Sequence, residues 1–440
     1  MKLLFVSLGC DKNLVDTEHM LSRLVKHDFV LTDDENEADV IVVNTCCFIS
    51  DAMEESINTL IELGQLKETG NLKVLVACGC LAQRYADDIR KEIPEVDAIV
   101  GTNSYDEIVE AINNSLTGDN REYMKSLEGL PDNSEGRFVT TGGHYAHLKI
   151  AEGCDKHCTY CVIPSIRGNY RSVPMEEIIA EATKLAAGGV SELILVAQET
   201  TLYGTDLYGR KALPELLNKL SDIEGIHWIR LQYCYPEEIT EEIIDVMASN
   251  PKVCHYIDMP IQHCDDEILG RMGRKTNEAD IRNIVKALRE KMPDICIRTT
   301  LICGFPGETE EAFEKLLKFI EDMKFDRLGS FPYSRQENTP AAEFDNQIPE
   351  EVKLQKVDKV MQLQQQISME VNESFIGKEL EVFVVGKIPE DGVFVARSFR
   401  DAPDVDGFVF INSHRELVSG EYVKVLITGA HEYDLVGELL

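Results

Sequence analysis

The chain is 440 residues long, 44% hydrophobic and 28% charged, ordinary values for a soluble globular protein with room for two or three domains. Its formal charge of −34 repels nucleic-acid phosphate over most of the surface and favours basic partners. No stretch approaches the ~18 apolar residues that a spanning helix needs. The chain is therefore read as cytoplasmic, where thiols stay reduced and thirteen cysteines point to metal or redox chemistry.

The N-terminal part alternates short apolar runs with helix-like stretches. Strands are expected at Leu3–Ser7, Val40–Asn44, Lys73–Ala77 and Ala98–Val100, and helices at Asn13–Lys26, Ala52–Lys67 and Ala82–Lys91. Runs such as Val40-Ile41-Val42-Val43 suit a parallel sheet covered on both faces, hence a small doubly wound α/β domain over residues 1–125. Cys10, Cys46 and Cys80 each follow a different strand of it. Ligands bind beyond the carboxyl ends of such strands, so three thiols far apart in sequence can meet there. Ordinary core cysteines are the alternative. Cys47 and Cys78 neighbour two of them, and Cys78 lies within an apolar strand run.

Residues 115–140 carry Gly, Asn, Asp and Glu without periodicity and read as a linker. A second α/β series then spans 140–370. Its strands are expected at Leu148–Ala151, Leu193–Ala197, Trp228–Gln232, His255–Met259, Ile297–Ile302 and Arg327–Phe331, with a helix at Pro174–Ala187. Six such units imply a parallel barrel or partial barrel with function on the loops that follow the strands.

The first of those loops holds Cys154-Asp155-Lys156-His157-Cys158-Thr159-Tyr160-Cys161. The C-x3-C-x2-C spacing offers three thiolates from one tight loop. A [4Fe–4S] cube fully held by protein uses four, so three leave one iron open to a small molecule. A zinc knuckle with a remote fourth ligand is the alternative. His157 reads as a solvated side chain, and Cys234, Cys254, Cys264, Cys296 and Cys303 lack cluster spacing.

Lys353–Val371 reads as a polar connecting helix. Beyond it Leu380–Val385, Val393–Ala396, Phe408–Ile411, Tyr422–Thr428 and Asp434–Leu439 alternate apolar and polar residues between turns. They predict a small antiparallel β-barrel over 372–440.

Taken together, these residues resemble the radical S-adenosylmethionine (SAM) methylthiotransferases along essentially the whole chain. The resemblance rests on Ser7-Leu8-Gly9-Cys10, Asn44-Thr45-Cys46, Gly79-Cys80, Glu152-Gly153-Cys154 and Cys161 through Gly168. It continues in Gln198–Gly204, Met259–His263 and Gly304-Phe305-Pro306-Gly307-Glu308. The family architecture implied is a cluster-bearing N-terminal domain, a radical SAM barrel and a TRAM domain. Two [4Fe–4S] clusters are implied, one on Cys154, Cys158 and Cys161 and one on Cys10, Cys46 and Cys80. The first would bind SAM, with Tyr160 near the adenine and Gln198 as a further contact. The second would carry the sulfur to be inserted. Arg167 could contact substrate or a cofactor carboxylate, or cap the loop.

Within the family, the Ile163–Gly168 and Gln198–Gly204 segments are similar to the branch that methylthiolates the β-carbon of an aspartate in small-subunit ribosomal protein S-twelve. The other branch modifies adenosine in tRNA. Residues 372–440 carry 13 Asp+Glu against 6 Lys+Arg, which suits a basic protein better than phosphate. A flavodoxin- or ferredoxin-like electron donor is implied as a partner. A non-catalytic iron–sulfur or RNA-binding protein, working through its terminal barrel, is the reading from a different class.

Overall fold

A computed structural model describes residues 1–389 and 392–440. The first sheet contains β1 (Lys2–Ser7), β2 (Val30–Leu31), β3 (Val40–Thr45), β4 (Val74–Gly79), β5 (Ala98–Val100) and β6 (Glu122–Tyr123). They run parallel in the order β2-β1-β3-β4-β5-β6. The β-branched run of β3 is fully buried, with helices on both faces, as a doubly wound sheet requires. The expected linker is partly structured: β6 adds the sixth strand by pairing Val100 with Tyr123. Its two residues are too few for periodicity to reveal. The helix expected over Ala82–Lys91 is broken at Tyr85 into Cys80–Arg84 and Ala86–Glu92.

The second sheet is wholly parallel and ordered β14-β13-β12-β11-β10-β7. Its strands are β7 (Tyr145–Lys149), β10 (Glu192–Val196), β11 (Trp228–Leu231), β12 (Val253–Asp258), β13 (Cys296–Cys303) and β14 (Arg327–Pro332). It stays open between β7 and β14, so the barrel is partial. The strand expected at Leu148–Ala151 is divided: β7 ends at Lys149, and β8 (Ala151–Glu152) pairs antiparallel with β9 (Arg171–Ser172). This small hairpin brackets the cysteine loop. One face of the sheet packs on helices such as Met175–Ala187 and Glu310–Met323. The connecting helix, Glu350–Glu373, does more than connect. It lies along the open edge at β14, where Lys353 donates to the Tyr333 carbonyl at 2.8 Å and Gln364 to the Phe325 carbonyl at 2.8 Å.

The terminal strands β15 (Glu379–Ile388), β16 (Val393–Ser398), β17 (Val409–Asn412), β18 (Tyr422–Ala430) and β19 (Leu435–Leu439) close into a barrel. The antiparallel expectation holds for all pairs but one. β17 and β19 run parallel, with Val409 opposite Leu435, and this pairing is what closes the ring. The barrel docks on the second sheet toward the starts of its strands, where Trp228, Cys254, Tyr256 and Cys296 pack with Phe383 and Ala402. The N-terminal domain meets the opposite ends of those strands, and that placement creates the site. Among the described residues no helix is long and apolar enough to cross a membrane.

Candidate functional site

Cys10, Cys46 and Cys80 stand at the carboxyl ends of β1, β3 and β4, adjacent strands at the point where the strand order reverses. One side chain fastens all three loops. Asn13 donates to the carbonyls of Leu8 and Thr45, at 3.2 and 3.0 Å, while its Oδ1 lies 3.6 Å from the Cys80 sulfur. Thr45 donates to the Cys78 carbonyl at 2.6 Å, and Ser56 bonds both the amide and the carbonyl of Cys46. The approach of the loops is close enough to demand glycine. A Cβ on Gly79, at φ 88°, would fall 2.2 Å from Asn44 Oδ1, and one on Gly9 would fall 2.8 Å from Cys46 Cβ.

The three thiols act on one another. Burial, then Cys80 and Cys10, push the Cys46 thiol up to about 12; burial and Cys10 also raise Cys80. The two neighbouring cysteines are fully buried. Cys78 donates to the Val43 carbonyl at 3.4 Å, and Cys47 is buried in the apolar core with Leu60 and Leu81.

The second trio lies where β7 and β8 end. Cys154 and Cys158 are buried and Cys161 half-buried. Hydrogen bonds from Cys161 N to the Cys158 carbonyl and from Cys154 N to the Gly168 carbonyl fold the loop. Burial pushes Cys154 and Cys161 up to about 12, with Cys158 adding to both. Such thiols remain protonated until a metal's charge draws the proton off. Among the described residues no three His, Cys, Asp or Glu side chains gather as ligands of a single ion. Soft thiols suit iron–sulfur ligation, in which each thiolate binds a separate iron. The residues present therefore fit an iron–sulfur group at each trio.

Arg167 reaches from the end of the cysteine loop to the first trio. It is buried, and its Nη2 lies 3.5 Å from the Cys80 sulfur, although it follows Cys161 by only six residues. Its Nη1 donates to Asp16 at 2.7 Å and to Glu152 at 3.2 Å. Lys149 pairs with the same two carboxylates, completing a buried quartet across the domain seam. Burial alone would raise Glu152; Lys149 and Arg167 overcome it and hold the carboxyl at about 2. On the far side, Tyr233 donates to Asp11 beside Cys10 at 2.9 Å, and Lys12 lies over the Tyr233 ring at 3.1 Å. Val162 and Ile166, just past the cysteine loop, belong to the core of the N-terminal domain.

Beyond the strand ends of the second sheet, several buried polar atoms have no hydrogen-bond partner among the described residues: Gln198 Oε1, Glu199 Oε2, Gln232 Oε1, Gln262 Oε1, and Nε and Nη1 of Arg274. Orphaned groups of this kind are costly unless a polar ligand meets them. Tyr233 and Gln262 hold left-handed backbone here, φ 59° and 70°, a strain concentrated at ligand sites. Gln198 is half-buried and donates to Glu152 at 2.8 Å. Glu199 is raised to about 7 by burial despite bonds from Thr201. Tyr160 meets Phe305 edge-on, ring centroids 6.4 Å apart, and borders the cluster that contains Tyr333 and Met272. His157 is exposed, as expected, and the five unassigned cysteines are buried. Gln232, Gln262 and Arg274 were not singled out as site residues from the sequence. A glutamine soon after each of three parallel strands was the available signal.

The chain matches the profiles of the Radical SAM superfamily over residues 148–320, of uncharacterized protein family UPF0004 over 2–101 and of the TRAM domain over 376–440. It is 57% identical over 437 residues to the ribosomal protein uS12 methylthiotransferase RimO of Lachnoclostridium phytofermentans, covering 99% of both chains. With the RimO of Clostridioides difficile it shares 49% identity, over 100% of this chain and 99% of that one. The chain belongs to the family of ribosomal protein uS12 methylthiotransferases. A likeness of fold reaches further. The radical SAM methyltransferase TsrM of Kitasatospora setae, solved with cobalamin and a [4Fe–4S] cluster, superposes with a TM-score of 0.55 at 15% identity, covering 86% of this chain and 76% of that one.

Proposed function

We propose that this protein is a radical SAM methylthiotransferase that converts an aspartate of ribosomal protein uS12 to its β-methylthio derivative. We assign one [4Fe–4S] cluster to Cys154, Cys158 and Cys161 and another to Cys10, Cys46 and Cys80. The units carrying these roles are residues 1–125, 140–370 and 372–440. The observation that supports the reading is the contact between Arg167 and Cys80, because it ties the segment that follows the Cys154–Cys161 loop to a cysteine of the other trio. When bound, the clusters and SAM supply a radical able to break an unactivated C–H bond, together with the sulfur and methyl group to be added.

The chain's own residues prepare the site. Asn13 and Ser56 hold the first trio's loops, and the β8–β9 hairpin holds the second. Gln198, fixed by Glu152, and Tyr160 are the proposed SAM contacts. Arg274, with two buried donors unpaired among the described residues near Cys158, offers charge to an anionic group of a ligand. Burial of these groups keeps water from the reacting centre.

Protein rather than tRNA is favoured as substrate by the fate of the terminal barrel's cations. Arg397 and Arg400 are consumed in buried pairs with Glu192 and Asp326, while Lys387 and Arg415 pair with Glu416 and Glu421. Lys378 and Lys424 lie outside these pairs, too few to track a phosphate backbone. We further propose a cytoplasmic setting and a flavodoxin- or ferredoxin-like reductant.

The decisive experiment incubates anaerobically reconstituted protein with SAM, reductant and either uS12 or unmodified tRNA. Mass spectrometry should find about 46 Da added to one uS12 aspartate, a methylthio group in place of hydrogen. Modification of tRNA alone would select the other branch. Loss of iron from C154A and from C10A, each without loss of the other cluster's signal, checks the ligand assignment.

A further inference from the structure

We infer that Arg167 is a positioning residue for the reaction, donating to the Cys80 sulfur so as to raise the reduction potential of the cluster on Cys10, Cys46 and Cys80. The inference rests on the two-cluster reading and extends it to how the second cluster is tuned. Sequence alone left Arg167 three roles: substrate contact, cofactor contact or loop cap. The geometry supplies another, since both terminal nitrogens are already occupied. Nη1 serves Asp16 and Glu152; Nη2 serves Asn13 and faces Cys80 at 3.5 Å.

The quartet of Arg167, Lys149, Asp16 and Glu152 is neutral as a whole but polarised. Its carboxylates lie on the Nη1 side, and its positive end is turned toward Cys80. Arg167 is only 2% exposed, so water screens this charge little. Cluster potentials follow local charge and hydrogen bonds to the ligand sulfurs. Adding one electron makes the cluster more negative, and a cation donating to its sulfur favours that reduced form. Only the electron moves; no bond or proton changes hands.

The same geometry joins the two halves of the chemistry. Glu152 takes Arg167 on one oxygen and Gln198, a proposed SAM contact, on the other. The residue that tunes the sulfur-carrying side thus shares a carboxylate with the SAM side.

The test is a mediator titration of reconstituted protein, with dithionite as the electron source and electron paramagnetic resonance as the readout. R167Q should lower the second cluster's midpoint so that its reduced-to-oxidised ratio at fixed poise falls at least tenfold, about 59 mV for one electron. The midpoint of the Cys154–Cys158–Cys161 cluster should remain in place, and R167K should restore most of the shift. An unchanged midpoint in an R167Q protein that retains both clusters overturns the inference.

If R167Q fails to hold the second cluster, D16N decides. Removing that anion leaves Arg167 less neutralised, so the midpoint should rise; an unmoved D16N midpoint also overturns the inference. A parent protein binding about four irons instead of about eight would instead refute the two-cluster reading, and this inference would fall with it.

Discussion

Asn13 and Glu152 each satisfy several elements of the site at once. Glu152 lies in a dry seam with two cations, and breaking a buried pair from one side costs about 3–5 kcal/mol. E152Q should lose about that much stability at pH 7, measured by thermal unfolding of the two proteins side by side. The sign with pH follows from the depressed carboxyl. Its contribution is complete above the ordinary carboxyl range, near 4.5, and disappears as pH falls through about 2. The gap between parent and E152Q should therefore narrow on acidification across that window. At Gly79, alanine would need left-handed backbone and would drive Cβ into Asn44. G79A should cost about 1–3 kcal/mol of local strain and reduce bound iron by about half, with the Cys154 loop still loaded.

At the scale of elements, the helices Asp11–Lys26 and Glu350–Glu373 explain why patterning understated them. Both bury polar side chains. Asp16 and Glu18 of the first reach Arg167 and Arg137 across the seam, while Lys356 of the second pairs with Glu308 at 2.8 Å. The first helix is buried along nearly its whole length, and the second keeps a solvent face that includes Leu354, Gln355, Asp358 and Gln362, so charge on their buried sides looks like exposure when only periodicity is considered. The second helix lies along β14, one of the two edges of the open sheet. Gln364 supplies its buried bond to the Phe325 carbonyl. Q364A should cost about 1–3 kcal/mol in denaturant titrations, since it leaves that carbonyl unpaired. A loss under half a kcal/mol would show that the bond is replaceable.

Over the whole molecule, three bodies divide the work by position. The N-terminal domain closes on the carboxyl ends of the second sheet, where both cysteine trios lie. The terminal barrel occupies the starts of the strands, with Glu192 taking both Arg230 and Arg397 at 2.8 Å. Its acidic surface faces outward from there. If long-range attraction draws a basic ribosomal protein to this surface, the KM for uS12 should rise several-fold between low and moderate salt, as the Debye length contracts. SAM cleavage without uS12 should stay level over the same range. A KM insensitive to salt would remove charge as the recruiting force.

Much of the architecture was written locally. Valine- and isoleucine-rich runs reported the parallel strands, turn residues marked the terminal barrel, and the spacing of Cys154, Cys158 and Cys161 set one trio within a single loop. Cys10, Cys46 and Cys80 stand after separate strands, as their place in the sequence pattern implied. Local pattern carries these because period and spacing act within a few residues. The short strand β6, the parallel closure of β17 on β19, and the partners of Arg167 depend on which distant segments meet. Asp16, Cys80 and Glu152 come from three separate stretches of chain, and only the burial of one domain against another makes them neighbours. Energy at that seam comes from desolvated charges that must find each other, a condition imposed by three-dimensional packing and not by sequence order.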